Sequence, residues 1–270
     1  MVQMGNADTT APAGDAALLK IEQQGTVLTV GLNRPAKRNA LNDGIILAIG
    51  ECFANLPDDA RAVVIHGIGD NFSSGLDLSE LRERDATEGL VHSQTWHRVF
   101  DRIQYSRVPV IAALRGAVIG GGLELACAAH IRVAEPSAYF ALPEGQRGIF
   151  VGGGGSVRLP RLIGVARMAD MMLTGRVYSA AEGSTYGFAQ YLVEDGGSLK
   201  KALELAEKIA GNAPLTNFAV LQALPMIAEA NPQTGLLMES LMATVAQSDQ
   251  EAKRRIRAFL DHKTAKVKPT

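Results

Sequence analysis

The sequence predicts an α/β fold in which parallel strands are wound one after another, followed by a part that is all helical. Three observations predict it. Short β-rich runs alternate with helical periodicity in successive β-β-α units from residue 18 onward, and strands nearly stop after about residue 155. Glycine-rich junctions stand where strands give way to helices.

The elements follow in order. Residues 18–22 and 26–32 are short strands separated by Gln23-Gln24-Gly25, which suits a hairpin. Residues 40–56 carry apolar positions at Leu41, Ile45, Ile46, Ala48, Ile49 and Phe53, a helical spacing that Asn39 or Asn42 could cap. Residues 62–66, AVVIH, form a buried-type strand, and residues 88–106 form a helix with Trp96 and Phe100. A strand at 108–114, a helix at 120–129 and short strands at 131–134 and 139–142 come next. Helices are then expected at 157–173, 180–187, 198–212, 215–229 and 235–262, with Pro225 kinking or breaking the fourth. This divides the chain into a flexible tail at 1–15, a mixed core at 16–200 and a helical region at 201–270. Leu236, Leu237, Met238, Leu241, Met242 and Val245 make the last helices apolar on more than one face, which suits packing against another subunit.

Composition narrows the function. The 270 residues are 47% hydrophobic and 20% charged, with a formal net charge of −1, so there is no electrostatic case for nucleic acid or an anionic membrane as partner. The short basic patch Lys253-Arg254-Arg255 reads as a solvated helix face. Cys52 and Cys127 lie in apolar helix-like stretches, which argues for a reducing, cytoplasmic compartment. None of the five histidines has zinc-ligand spacing, so no metal site is expected. No apolar run approaches the ~18 residues of a membrane helix. The first fifteen residues lack the charge and apolar block of a signal or transit peptide.

Chemistry is expected at two junctions. Phe72-Ser73-Ser74-Gly75-Leu76-Asp77-Leu78 follows one strand and Ile119-Gly120-Gly121-Gly122-Leu123-Glu124-Leu125 follows another. Both can be ordinary turns. Alternatively, they face one point and present a pair of free N–H donors to a negatively charged oxygen, as a thioester enolate requires. The second junction lacks the spacing of a dinucleotide fingerprint, and no GK[ST] follows Gly152–Gly155 to make a P-loop. Glu124 sits in the apolar run LELACAA, either as a helix-dipole partner or as a buried acid, and Glu144 follows Leu142-Pro143. As a pair, one carboxylate and one carboxylic acid can add water across a conjugated double bond.

These segments resemble the crotonase (enoyl-CoA hydratase/isomerase) superfamily over residues 18–263. The similarity is carried by Leu32-Asn33-Arg34-Pro35-Ala36-Lys37-Arg38-Asn39-Ala40-Leu41, by residues 72–78, by residues 109–125, by Leu142-Pro143-Glu144 and by residues 148–159. The resemblance implies a spiral of β-β-α units followed by a helical trimerisation region, assembled as a homotrimer or homohexamer. It implies an oxyanion hole from the N–H groups of Leu76 and Gly121, catalytic carboxylates at Glu124 and Glu144, and a water held partly by the N–H of Gly152. Ala36, Lys37 and Arg38, with Ser74, Leu76, Asp77 and Leu78, would line the coenzyme A groove, Asp77 bracing its loop. Coenzyme A belongs to the substrate, and no separate cofactor is implied. Hydration of a trans-2-enoyl-CoA is the expected reaction. Isomerase, dehydratase or hydrolase chemistry, or a non-catalytic acyl-CoA- or RNA-binding scaffold, are the alternatives.

The pattern departs from the family at Val151, where proline is usual, at the longer glycine run through Gly153, and at His262, where lysine is usual and Lys263 could substitute. Trp96, His97 and Phe100 fall near the implied acyl pocket, either touching substrate or packing within their helix.

Overall fold

The computed structural model describes residues 17–80 and 83–261. The expected tail at 1–15 and the pair His262 and Lys263 lie outside the described residues.

The first hairpin forms from β1 (Leu19–Gln24) and β2 (Val27–Leu32), antiparallel, with Gly25 at φ +57 in the turn. Helix α1 (Asp43–Ala54) then leads to β3 (Ala62–Gly67), and α2 (Ala86–Gln104) leads to β4 (Val110–Leu114). Each helix is a crossover, and β2, β3 and β4 pair in parallel. Asn42 caps α1 by accepting from Ile45 N at 3.0 Å, and Asp85 with Glu88 forms a capping box on α2.

A short strand not expected from the sequence, β5 (Ala117–Ile119), runs into α3 (Gly121–Ala128). After β6 (Ile131–Ala134) and β7 (Tyr139–Ala141), the predicted helix at 157–173 divides into α4 (Gly155–Ile163) and α5 (Val165–Thr174). Gly164, at φ +85, makes the break. Strand β8 (Tyr178–Ser179), helix α6 (Ala180–Tyr186), strand β9 (Tyr191–Leu192) and helix α7 (Ser198–Ala210) complete the mixed part.

Two sheets result, one of six strands in the order β1-β2-β3-β4-β6-β9 and one of three in the order β5-β7-β8. The run AVVIHG is continuously apolar because β3 is covered on both faces. Val63 and Ile65 join the main core beneath α1 and α2, while Ala62 and Val64 meet Ala202 and Ala206 of α7.

The C-terminal part comprises α8 (Pro214–Phe218), a wide turn at Ala219–Ala223, α9 (Leu224–Glu229), α10 (Pro232–Ser248) and α11 (Gln250–Leu260). As expected, regular α-helix is interrupted at Pro225: the chain stays helical on both sides, but Ala219–Ala223 just before it form a π-helical turn, whose wider hydrogen bonding accommodates a residue without an N–H. The wide turn before it absorbs the change of pitch. Leu236, Leu237 and Leu241 are exposed on α10 and Phe259 and Leu260 on α11.

Candidate active site

The site forms where β3 and β5 end. Ser73 is buried and bridges Val118 in parallel, donating its N–H to Ala117 O at 2.9 Å and accepting from Ile119 N at 3.1 Å. One residue pair further on, Leu41 donates to Gly75 O at 2.7 Å and accepts from Asp77 N at 2.8 Å. Because the neighbours of Leu76 make those bonds, its own N–H faces the opposite side. There it meets the first turn of α3: Leu76 N stands 3.7 Å from the ideal Cβ position of Gly121. Gly121 opens α3, so its N–H has no acceptor within the helix. Neither N–H donates a hydrogen bond among the described residues. Gly120 makes the turn possible, since its φ of +53 strains any L side chain.

The two glutamates come to this point from different elements. Glu124 lies one turn into α3 and is 4% exposed; its Oε1 accepts from Gly153 N and Gly155 N, both at 2.8 Å. Glu144 follows β7, directly before the 3-10 turn Gly145–Arg147, and is 7% exposed. Its backbone carbonyl is fixed by Arg147 N and Ile149 N, while its Oε2 is buried with no hydrogen-bond partner. Burial raises the proton affinity of both. At Glu124 this is opposed by the glycine N–H groups and the positive Arg158, whereas at Glu144 the neighbouring Glu124 adds to it and the pKa is pushed up to about 7.

Of the residues implied for the coenzyme A groove, Ser74, Leu76 and Leu78 line the cavity beside the two glutamates, while Ala36, Lys37, Arg38 and Asp77 lie outside its lining. Pro35–Lys37 form a 3-10 turn closed by Arg38 at φ +49, and Ala36, Lys37 and Arg38 are exposed. Ser74 N donates to Arg38 O at 2.9 Å, tying this turn to the Leu76 loop. Asp77 is buried beneath, bonded to Ser79 Oγ at 2.6 Å, Arg34 at 2.7 Å and Lys37 at 3.1 Å. The Ser79 hydroxyl, followed by Arg34 and Lys37, holds its carboxyl well below the usual range. Asn39 is not a helix cap. Its buried side chain accepts from Arg34 N and donates to Ile68 O and Asn71 O, stitching the same turn to the loop after β3.

A cavity of about 430 Å³ joins these parts; it is lined by Ser74, Leu76, Leu78, Gly121, Glu124, Glu144 and Gly152, with Trp96, Ile149 and Val151 as apolar wall. Of the α2 residues in question, Trp96 reaches the cavity, Phe100 is fully buried in the core, and His97 lies outside the lining. Gly152 turns its carbonyl to Ser93 Oγ at 2.7 Å and its N–H toward Glu124. The N–H groups of Gly153 and Gly155, together with Ser93 and Arg158, were not anticipated as site residues. The glycine run itself was the available signal, since only side-chain-free backbone approaches a buried carboxylate so closely. Among the described residues no group of three or more His, Cys, Asp or Glu is arranged to hold a metal ion. No helix among them is long and apolar enough to cross a membrane.

Comparison with known proteins gives the family. The profile of the family described as enoyl-CoA hydratase/isomerase matches residues 22–269. The 2,3-dehydroadipyl-CoA hydratase of Escherichia coli K12 is 35% identical over 252 residues, covering 93% of this chain and 98% of that protein. The short-chain-enoyl-CoA hydratase of Clostridium acetobutylicum is 32% identical, over 89% of this chain and 94% of its own. A solved structure from Rhodopseudomonas palustris CGA009, provisionally described as an enoyl-CoA hydratase, has 80% identity and a TM-score of 0.90, covering 96% of this chain and all of that one.

Proposed function

This chain belongs to the enoyl-CoA hydratase/isomerase family and is a crotonase-type enoyl-CoA hydratase, and we propose that Glu124 and Glu144 divide its proton transfers. The carrying observation is a pair of buried carboxyls facing one cavity beside two N–H groups without acceptors. A thioester carbonyl oxygen received by Leu76 and Gly121 N–H is stabilised as negative charge develops on it. Glu124, whose oxygen already accepts two N–H groups, takes a proton from water as the water oxygen bonds to the β-carbon. Glu144, without a donor on Oε2 and with its pKa at about 7, gives its proton to the α-carbon. A proton then returns from Glu124 to Glu144 through solvent. Gly152 N–H helps hold the water, and Ala36, Lys37, Arg38, Ser74, Asp77 and Leu78 form or brace the coenzyme A groove. The reaction so written uses no separate cofactor.

The exposed apolar residues of α10 and α11 support assembly as a homotrimer or homohexamer, and the unpaired cysteines support a cytoplasmic location. The test is loss of the ultraviolet band of the conjugated thioester with a panel of trans-2-enoyl-CoAs. The panel includes short chains and a dicarboxylic one, the two kinds named by the relatives above. Turnover lowered by about 10²–10⁴-fold in Glu144→Gln is the expected result; no loss of the band on any chain rejects hydration.

A further inference from the structure

The glycine strand that holds Glu124 has no regular structure of its own to keep it in place. Residues 152–154 precede α4, and Gly154 lies at φ +92. The Gly152 and Gly153 carbonyls are tied to α2, the first directly and the second through Arg158 of α4, while Gly154 O accepts from Val157 N and Arg158 N, both at 3.2 Å. Ser93 bonds Gly152 O at 2.7 Å. Arg158, 8% exposed, donates Nη1 to Gly153 O at 3.1 Å, Nη2 to Asp101 at 2.6 Å and Nε to Gln104 Oε1 at 2.5 Å. Ser93, Asp101 and Gln104 are spaced eight and three residues apart, so they share one face of α2. A carbonyl shares its plane with the next residue's N–H, so Ser93 fixes the peptide that carries Gly153 N–H, and Arg158 fixes the following one, which separates it from the peptide that carries Gly155 N–H.

We propose that Arg158 is a positioning residue: forked between α2 and the Gly153 carbonyl, it fixes the peptide unit lying between the two that carry the Gly153 and Gly155 N–H groups, and thereby keeps Glu124, which accepts from both, ready to take a proton from water. The inference rests on the division of roles between Glu124 and Glu144 given above. Charged and titratable groups near Glu124 are Glu144 after β7, Arg158 on α4 and Cys127 on α3. Those near Arg158 also include Asp101 and, beside Gly154, His97 of α2. A lysine at 158 would keep the charge and lose the fork.

The test uses Gln104→Met, which exchanges one neutral side chain for another, with Arg158→Lys and Arg158→Gln. Titration of Glu124 is followed by nuclear magnetic resonance of carboxyl-labelled glutamate, its signal identified by loss in Glu124→Gln. Turnover is followed from about pH 5 to pH 9, a range that brackets ordinary general acid–base behaviour. Arg158→Gln is expected to move the Glu124 titration up by about one pH unit or more. Arg158→Lys and Gln104→Met should move it part of the way, with kcat falling and KM kept within about twofold. If Arg158→Gln does not fold, the other two variants decide. Wild-type titration and pH profile in both of them overturn the proposal, leaving Arg158 as a charge or a brace. A wild-type protein that hydrates no enoyl-CoA rejects the hydratase reading instead, while the titration still reports on the clamp.

Discussion

Glu144 Oε2 is buried with no hydrogen-bond partner, and that bears both on the chemistry proposed for it and on its cost. As proton donor it should be needed only in the chemical step, so Glu144→Gln is expected to lower kcat by about 10²–10⁴-fold while KM changes little. Because its pKa is about 7, kcat/KM for hydration should decline as pH rises through that value. Stability carries the same signature. Its folded pKa lies above the ordinary 4.5, so the unfolded chain ionises first and stability falls as pH rises from 4.5 toward about 7. His130 acts in the other direction. It accepts from Val110 N at 2.9 Å, its other ring nitrogen lies 2.9 Å from Gln104 O, and burial lowers its pKa below 6.5. Its contribution is therefore complete above 6.5 and is lost as pH falls through the folded value. Thermal melts should show a loss of Tm, as pH falls from 6.5 toward the folded value, that is steeper in wild type than in His130→Gln.

Among the elements, α3 is the one whose position the chemistry depends on most. Gly122 sits against the loop it faces, and a Cβ there would stand 2.6 Å from Ser73 O. Gly122→Ala must push α3 away from that loop, at a stability cost of about 1–3 kcal/mol. It should also lower kcat by about 10²-fold, because Gly121 N–H moves with the helix. Melting and steady-state kinetics on the same preparation check both. The sequence located α3, as it did α1, α2 and β3, to within a few residues: α1 and α2 by their repeating apolar spacing, and β3 and α3 as runs that read as buried throughout. It could not reveal β5, whose three residues have no alternation long enough to read. The division at Gly164 was hidden too, since Leu159 and Met168 continue the apolar spacing across it. Of the site, the residues that carry chemistry in their side chains were legible. The donors to Glu124 were not, because backbone N–H groups have no letter of their own and only the fold brings residue 153 beside residue 124.

At the scale of the whole molecule, the mixed core and the helical C-terminal region have different surfaces. Leu237 and Leu241 are about three-fifths exposed on α10, at 61% and 58%. Leu237→Asp with Leu241→Asp should therefore lower the assembled mass seen by light scattering while leaving the secondary structure of each chain intact. An unchanged mass, or a monomeric wild type, rejects the proposed assembly. The six-stranded sheet has one further consequence, which concerns synthesis. Among the described residues, one of its faces is packed mainly against α7, so Val27, Val64, Ile111 and Val133 gain that cover once residues 198–210 exist. A chain leaving the ribosome at about 5–20 residues per second thus carries a growing apolar face in the open for many seconds. Truncations that stop short of α7 should be captured by chaperones or aggregate, and those that include it should not.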